Sequence, residues 1–166
     1  MKLFQYLYIF IFSISLSGCV IYSFSGISTN AESFQVNYFQ NNSQLVEPGL
    51  EILFRNTLQD LIVNQTSLNL VTTGGEVIYE GEITEYRIAP MTATAQNTAA
   101  QNRLTIGVNV RYFNTLDEEE SFERNFSFFY DYPANAQLVG GVKDEAFEVI
   151  FERITQDILN ASLADW

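Results

Sequence analysis

The chain has 166 residues, with 20 Asp and Glu against 8 Lys and Arg and a formal net charge of -12 at pH 7. That balance excludes nucleic acid as a partner and any general attraction to anionic surfaces. With no histidine and a single cysteine, the chain cannot build an imidazole acid or base, a Ser-His or Cys-His couple, a histidine-based zinc site or an intramolecular disulfide.

The first segment carries one cation, Lys2, followed by an apolar and hydroxyl run from Leu3 to Ser15. This run is too short to span a bilayer and has the length of a signal-peptide core. It closes on Leu16-Ser17-Gly18-Cys19, the pattern of a lipobox. The expectation is a lipoprotein signal peptide over residues 1–18, lipid on the thiol of Cys19, and a mature chain that begins there. Each buried acyl methylene contributes roughly 0.8 kcal/mol, and two or three chains make attachment effectively permanent. The alternative, an ordinary secretory signal, leaves one exported thiol unpaired, whereas lipidation gives that thiol a use. Val20, where an aspartate would favour inner-membrane retention, points to the outer membrane, and the absence of an acidic run after it points to the periplasmic leaflet.

Residues 19–31 are small and polar and read as a tether. From Glu32, Phe34, Val36 and Tyr38 alternate with Gln35 and Asn37, the period of a half-buried strand that Asn41-Asn42-Ser43 ends. After Pro48, Leu50, Leu53, Phe54, Leu58, Leu61 and Ile62 recur at spacings of three and four and predict an amphipathic helix. A short strand, Leu68 to Val71, follows. A strand, helix and strand in that order form a crossover, so these two strands should run parallel in one sheet.

The next three segments predict an antiparallel meander. Val77 to Ile88 changes phase, since Tyr79, Gly81 and Ile83 share one parity while Tyr86 and Ile88 share the other. A bulge near Thr84 reconciles them. Leu104, Ile106, Val108, Val110 and Tyr112 alternate without a break against Arg103, Thr105, Gly107, Asn109 and Arg111. On the returning strand Phe122, Phe126, Phe128 and Tyr130 share a face that Arg124 interrupts. A second helix is expected from about Gln137 to Ala164, with Val142, Ala146, Ile150, Ile154 and Ile158 in one stripe. The expected fold is a single α+β domain over residues 32–166: two amphipathic helices on one face of a mixed, mostly antiparallel sheet of about four to five strands.

The other face would then show Thr105, Gly107, Asn109, Asn125 and Ser127, with Glu80 and Glu82 on a neighbouring strand. Small polar residues suit a face that lies against another surface, although a merely solvated face is also consistent with them. No catalytic group and no cofactor is implied. Carboxylates are plentiful, and a pair such as Glu80 and Glu82 shares one strand face, as two-carboxylate chemistry would need. Asp117-Glu118-Glu119-Glu120 lacks the alternating ligands and turn glycine of a calcium loop. Gly74-Gly75 and Gly140-Gly141 lack the spacing of a phosphate loop. A long uncharged loop is expected from Ala89 to Gln101, flanked by Arg87 and Arg103, with Arg111 on the strand face of Arg103. A guanidinium grips phosphate or carboxylate bidentately, so these three arginines are candidate contacts to a lipid phosphate or the acidic wall of a partner, unless they simply pair with neighbours such as Glu85.

In this order the segments resemble the LptE family of lipopolysaccharide-assembly lipoproteins, in its Bacteroidota-type form. The residues that carry the likeness are Ser17-Gly18-Cys19 with Tyr22-Ser23-Phe24-Ser25-Gly26, then Val36-Asn37-Tyr38-Phe39-Gln40-Asn41-Asn42 and Glu80-Gly81-Glu82-Ile83-Thr84-Glu85-Tyr86. Ala99-Ala100-Gln101-Asn102-Arg103-Leu104-Thr105-Ile106 and the terminal Ala164-Asp165-Trp166 complete it. The resemblance implies a non-enzymatic lipoprotein that plugs the lumen of a large LptD-type outer-membrane β-barrel, assists its assembly and serves lipopolysaccharide insertion. The family's direct binding of lipopolysaccharide through basic residues is matched here only by Arg87, Arg103 and Arg111. A free-standing periplasmic lipid- or glycan-binding lipoprotein is the alternative.

Overall fold

The computed structural model describes residues 29–91 and 100–163. Cys19, most of the expected tether, the centre of the long loop and the terminal Ala164-Asp165-Trp166 lie outside the described residues.

Strand β1 (Ser33–Asn41) leads to helix α1 (Leu50–Gln65) and the two-residue strand β2 (Asn69–Leu70). Then come β3 (Val77–Met91), β4 (Gln101–Asn114), β5 (Phe122–Pro133) and helix α2 (Gly141–Leu163). The sheet order is β2-β1-β3-β4-β5. The β1–β2 and β1–β3 pairs are parallel, and β3-β4-β5 is an antiparallel meander. Both helices cover one face, giving the expected single α+β domain.

The crossover has a local cause at each end. Gly49, at φ 81°, starts α1 in a left-handed conformation that glycine adopts without cost, and its carbonyl accepts from the amides of Ile52 (3.1 Å) and Leu53 (3.0 Å). At the other end Thr66 donates through both its amide (3.0 Å) and its hydroxyl (2.8 Å) to the Ile62 carbonyl, and its Oγ1 accepts from Leu68 N (3.1 Å). One residue thus closes the helix and starts the return to the sheet. The apolar stripe of α1 buries Leu50, Phe54, Leu58 and Ile62, while Leu53 stays at the margin. On α2, Ala146, Phe147, Ile150, Phe151, Ile154 and Ile158 face the sheet and α1. Phe54 links the layers, packing edge-on against Phe39 of β1 (5.0 Å) and Phe151 of α2 (5.3 Å).

Four expectations shift. The register of β1 against β3 slips between Val36 and Phe39, so Phe39 is buried and Tyr38 is 57% exposed. One extra residue in a strand inverts the side-chain alternation beyond it. Helix α2 begins at Gly141 and not near Gln137, because Gly140 takes φ 54° and breaks the helical path ahead of it. Strand β2 shrinks to two residues, although its ladder continues through Val71 N, which donates to Phe34 O at 2.9 Å. Ile88 shares the parity of Tyr86 yet is 41% exposed, because the β3–β4 hairpin runs on past the helices. The bulge itself falls where the phase change places it, between Ile83 and Glu85.

Gly81 is required by close approach. A methyl group on Gly81 would sit 2.0 Å from the Asn109 carbonyl oxygen and 3.0 Å from the Phe39 ring. Its absence lets β3 and β4 close up beside that phenyl group.

Candidate interaction surface

Every second residue of β3, β4 and β5 points away from the helices, and the register brings these residues into rows. Glu80 lies opposite Arg111, Glu82 opposite Asn109, Glu85 opposite Gly107 and Arg87 opposite Thr105. On the other side of β4, Arg103 lies opposite Asp131, Gly107 opposite Ser127 and Asn109 opposite Asn125. The small polar set expected on this face is therefore assembled in one place, together with all three candidate arginines.

Its charges are bound to one another. Arg103 Nε and Nη2 donate to Asp131 Oδ1 and Oδ2, each at 2.7 Å, and the guanidinium lies 3.6 Å from the centre of the Phe129 ring. A bidentate, stacked guanidinium of this kind is held in one orientation. The hydrogen bonds from Arg103 hold the Asp131 carboxyl below the usual carboxylate range, and those to Asp131 push the guanidinium still higher. Glu80 spans three strands, accepting from Asn37 Nδ2 of β1 (3.1 Å) and Arg111 Nε of β4 (3.2 Å). Glu82 accepts from Asn42 Nδ2 (2.8 Å), so the carboxylate pair first considered for acid–base chemistry is tied into this lateral network. Asn109 Nδ2 donates to Asn125 Oδ1 (3.3 Å). Arg87, more exposed, donates to Glu85 Oε1 at 2.7 Å.

Around the bulge the face dips into a cleft of about 610 Å³, lined in part by Thr84, Glu85, Arg87, Gly107, Asn125 and Ser127. Gly107 deepens it. Beyond the cleft the β3–β4 hairpin continues, with Ala89, Pro90 and Met91 paired to Arg103, Asn102 and Gln101. The strands thus reach into both ends of the expected loop, and residues 92–99 lie outside the described residues. Pro90 is tolerated because β1 pairs with β3 only as far as Ile83, leaving that side of β3 without a neighbour among the described residues. At the opposite end of the hairpin Asn114 organises the turn: its Oδ1 accepts from Leu116 N (2.9 Å) and Asp117 N (3.2 Å). The acidic run is a short, exposed helical turn capped by Asp117, which accepts from Glu119 N at 3.1 Å.

Asp131, Phe129 and Asn42 were missed as partners in this network. Asp131 and Phe129 sit at the outward parity of β5, so the register of the β4–β5 hairpin is the signal that could have found them. Asn42 follows the end of β1 and has no periodic signal.

The same fold recurs in solved structures. The PelC dodecamer from Paraburkholderia phytofirmans matches at a TM-score of 0.50 and 8% identity, over 83% of this chain and 93% of that one. A hypothetical protein from Chlamydia trachomatis matches at 0.52 and 9%, over 78% and 94%. The uncharacterized lipoprotein B from Nitrosomonas europaea matches at 0.50 and 14%, over 78% and 80%. At such identities the likeness is one of fold: helices on one face of a mixed sheet, an architecture that includes a lipoprotein. No curated protein matches the chain. Residues 31–162 match the model of the lipopolysaccharide-assembly family LptE, and the chain belongs to that family. The resemblance drawn from its short motifs holds, and membership supports a role in lipopolysaccharide assembly as an outer-membrane lipoprotein.

Proposed function

We propose that this chain is a non-enzymatic lipoprotein, anchored in the outer membrane through Cys19, that sits within the lumen of a large LptD-type β-barrel, assists the assembly of that barrel and serves the insertion of lipopolysaccharide into the outer leaflet. The observation that carries this reading is the outer sheet face. It combines small amide and hydroxyl side chains with three arginines that are each paired laterally to a carboxylate, so it can meet a polar wall without a free cation among them. Arg87, Arg103 and Arg111 contact the barrel wall or a lipid phosphate from that face. Arg87 is the most available of them, being held by a single exposed partner.

A mild-detergent pull-down of the C-terminally tagged protein from its own outer membrane tests the proposal. Recovery of one large barrel in near-equal amount is expected. A lipoprotein that elutes alone, with lipid or glycan in the cleft beside Gly107, would replace this reading with that of a free-standing binding lipoprotein. Cys19→Ala should release the domain into the soluble periplasm, and a variant that stayed membrane-bound would refute the anchor.

A further inference from the structure

The helical face carries a second feature that the sheet face does not use. Helices α1 and α2 are tied near one end by Gln65 Nε2, which donates to Gln156 Oε1 at 3.0 Å. Toward their N-terminal halves they leave a groove of about 490 Å³, lined by Leu53 and Thr57 on α1 and by Asp144, Phe147, Glu148, Phe151 and Glu152 on α2. The floor is aromatic: Phe147 and Phe151 are stacked with ring centres 5.9 Å apart. Leu53, at the lip, is 44% exposed.

The rim is acidic and regular. Asp144, Glu148 and Glu152 stand at i, i+4 and i+8, one row along α2 about 12 Å long. Like charges at this spacing disfavour a helix. The neighbouring cations are engaged elsewhere: Lys143 donates to Glu47 Oε1 (2.8 Å) and Arg153 to Asp157 Oδ2 (3.0 Å). Among the described residues no cation pairs with the three rim carboxylates. The floor shows only the outer edges of two core residues, Phe147 at 6% and Phe151 at 1% exposed, but the acidic row beside it is uncompensated, and a groove with such a rim is complementary to one kind of ligand.

We propose that this groove docks a basic amphipathic α-helix of a partner protein. Apolar side chains at i and i+3 or i+4 of the partner pack against Leu53 and the outer edge of Phe147, and Lys or Arg side chains one turn apart lie along the row from Asp144 to Glu152. A helix matches that row because both repeat about every 6 Å. The volume suits two or three inserted side chains, and the net negative charge of the chain steers a cationic segment toward it. Because the groove and the outer sheet face lie on opposite sides of the sheet, both can be occupied at once, and the docking site stands independently of the barrel reading.

The test uses the full mature protein in mild detergent and a labelled 16-residue helical peptide with leucines on one face and lysines at i, i+4 and i+8, followed by fluorescence anisotropy. Saturable binding is expected. It should weaken at least tenfold with Glu148→Lys plus Glu152→Lys, and several-fold with the neutral pair Glu148→Gln plus Glu152→Gln. Glu118→Lys plus Glu119→Lys, an equal change of charge on the exposed turn before β5, should leave it unchanged. Absence of binding at 1 mM peptide, or an equal loss for the groove and turn reversals, would overturn the proposal, the latter by reducing the attraction to bulk charge.

Discussion

The two faces of the sheet are made by alternate residues of the same strands, yet they are held by different forces. On β4, Leu104, Ile106, Val108, Val110 and Tyr112 are buried against the helices. Their neighbours Arg103, Asn109 and Arg111 point the other way and are fixed laterally, by Asp131, Asn125 and Glu80. Burial of apolar area dominates the inner face, at roughly 25 cal/mol per Å². Exposed and half-exposed pairs on the outer face contribute much less to stability. The inner face therefore sets whether the domain folds, and the outer face is left for the recognition proposed above. Substitutions should separate the two properties.

The largest effect should come from Phe54→Ala. Phe54 is fully buried between Phe39 and Phe151, and emptying such a site costs about 3–5 kcal/mol. Urea unfolding measures it, and a loss below about 1 kcal/mol would mean that the helix layer is not packed as described. Next is Gly81→Val, which places a side chain against the Asn109 carbonyl. Overpacking of this kind costs about 1–3 kcal/mol or more. It should also shift the amide signals of both β3 and β4, whereas changes confined to β3 would argue against the close approach.

These inner-face features were largely legible in the residues. The three-and-four spacing of α1 and the unbroken alternation of β4 are strong periodic signals, and the change of phase between Ile83 and Tyr86 located the bulge. What stayed hidden depends on pairing. Nothing in the order of Val36, Asn37, Tyr38 and Phe39 announces that a slip against β3 turns Phe39 inward. The start of α2 turns on the left-handed backbone of Gly140, which an apolar count cannot see. Arg103 could be picked out as a candidate, but its clamp on Asp131 requires the hairpin register, since the two are 28 residues apart.

Two tyrosines sharpen the contrast within the core. Tyr79 hydroxyl and Ser162 Oγ form a hydrogen bond of 2.8 Å, whereas Tyr112 OH, buried, has no partner among the described residues. Tyr79→Phe should cost about 1 kcal/mol, while Tyr112→Phe should be neutral or stabilising. Desolvation pushes Tyr86 up to about 12 and raises Tyr79 and Tyr112 further. The neutral phenols are thus favoured in the folded state. Their contribution is complete below the unfolded phenol value of about 10 and is lost as pH rises above it. Thermal melts from pH 8 to 12 should fall only beyond about pH 10. A fall between pH 8 and 9 would point to another group.

On the outer face the change in stability should be small for Arg87→Glu combined with Arg103→Glu. Arg87 is exposed and Arg103 partly so, and the unfolding midpoint should fall only modestly, through the like charges set against Glu85 and Asp131. Barrel recovery in the pull-down should nevertheless drop. If stability fell sharply with recovery intact, the outer face would be a structural surface and not a recognition surface.

On the proposed function the outer sheet face meets the barrel. That contact is tested most directly by photo-crosslinking in living cells from Asn125 and Ser127 on that face, compared with Ile52 and Asp60 on α1. Adducts with one large outer-membrane barrel are expected from Asn125 and Ser127 and none from α1. Barrel adducts from the α1 positions, with none from the sheet, would contradict it.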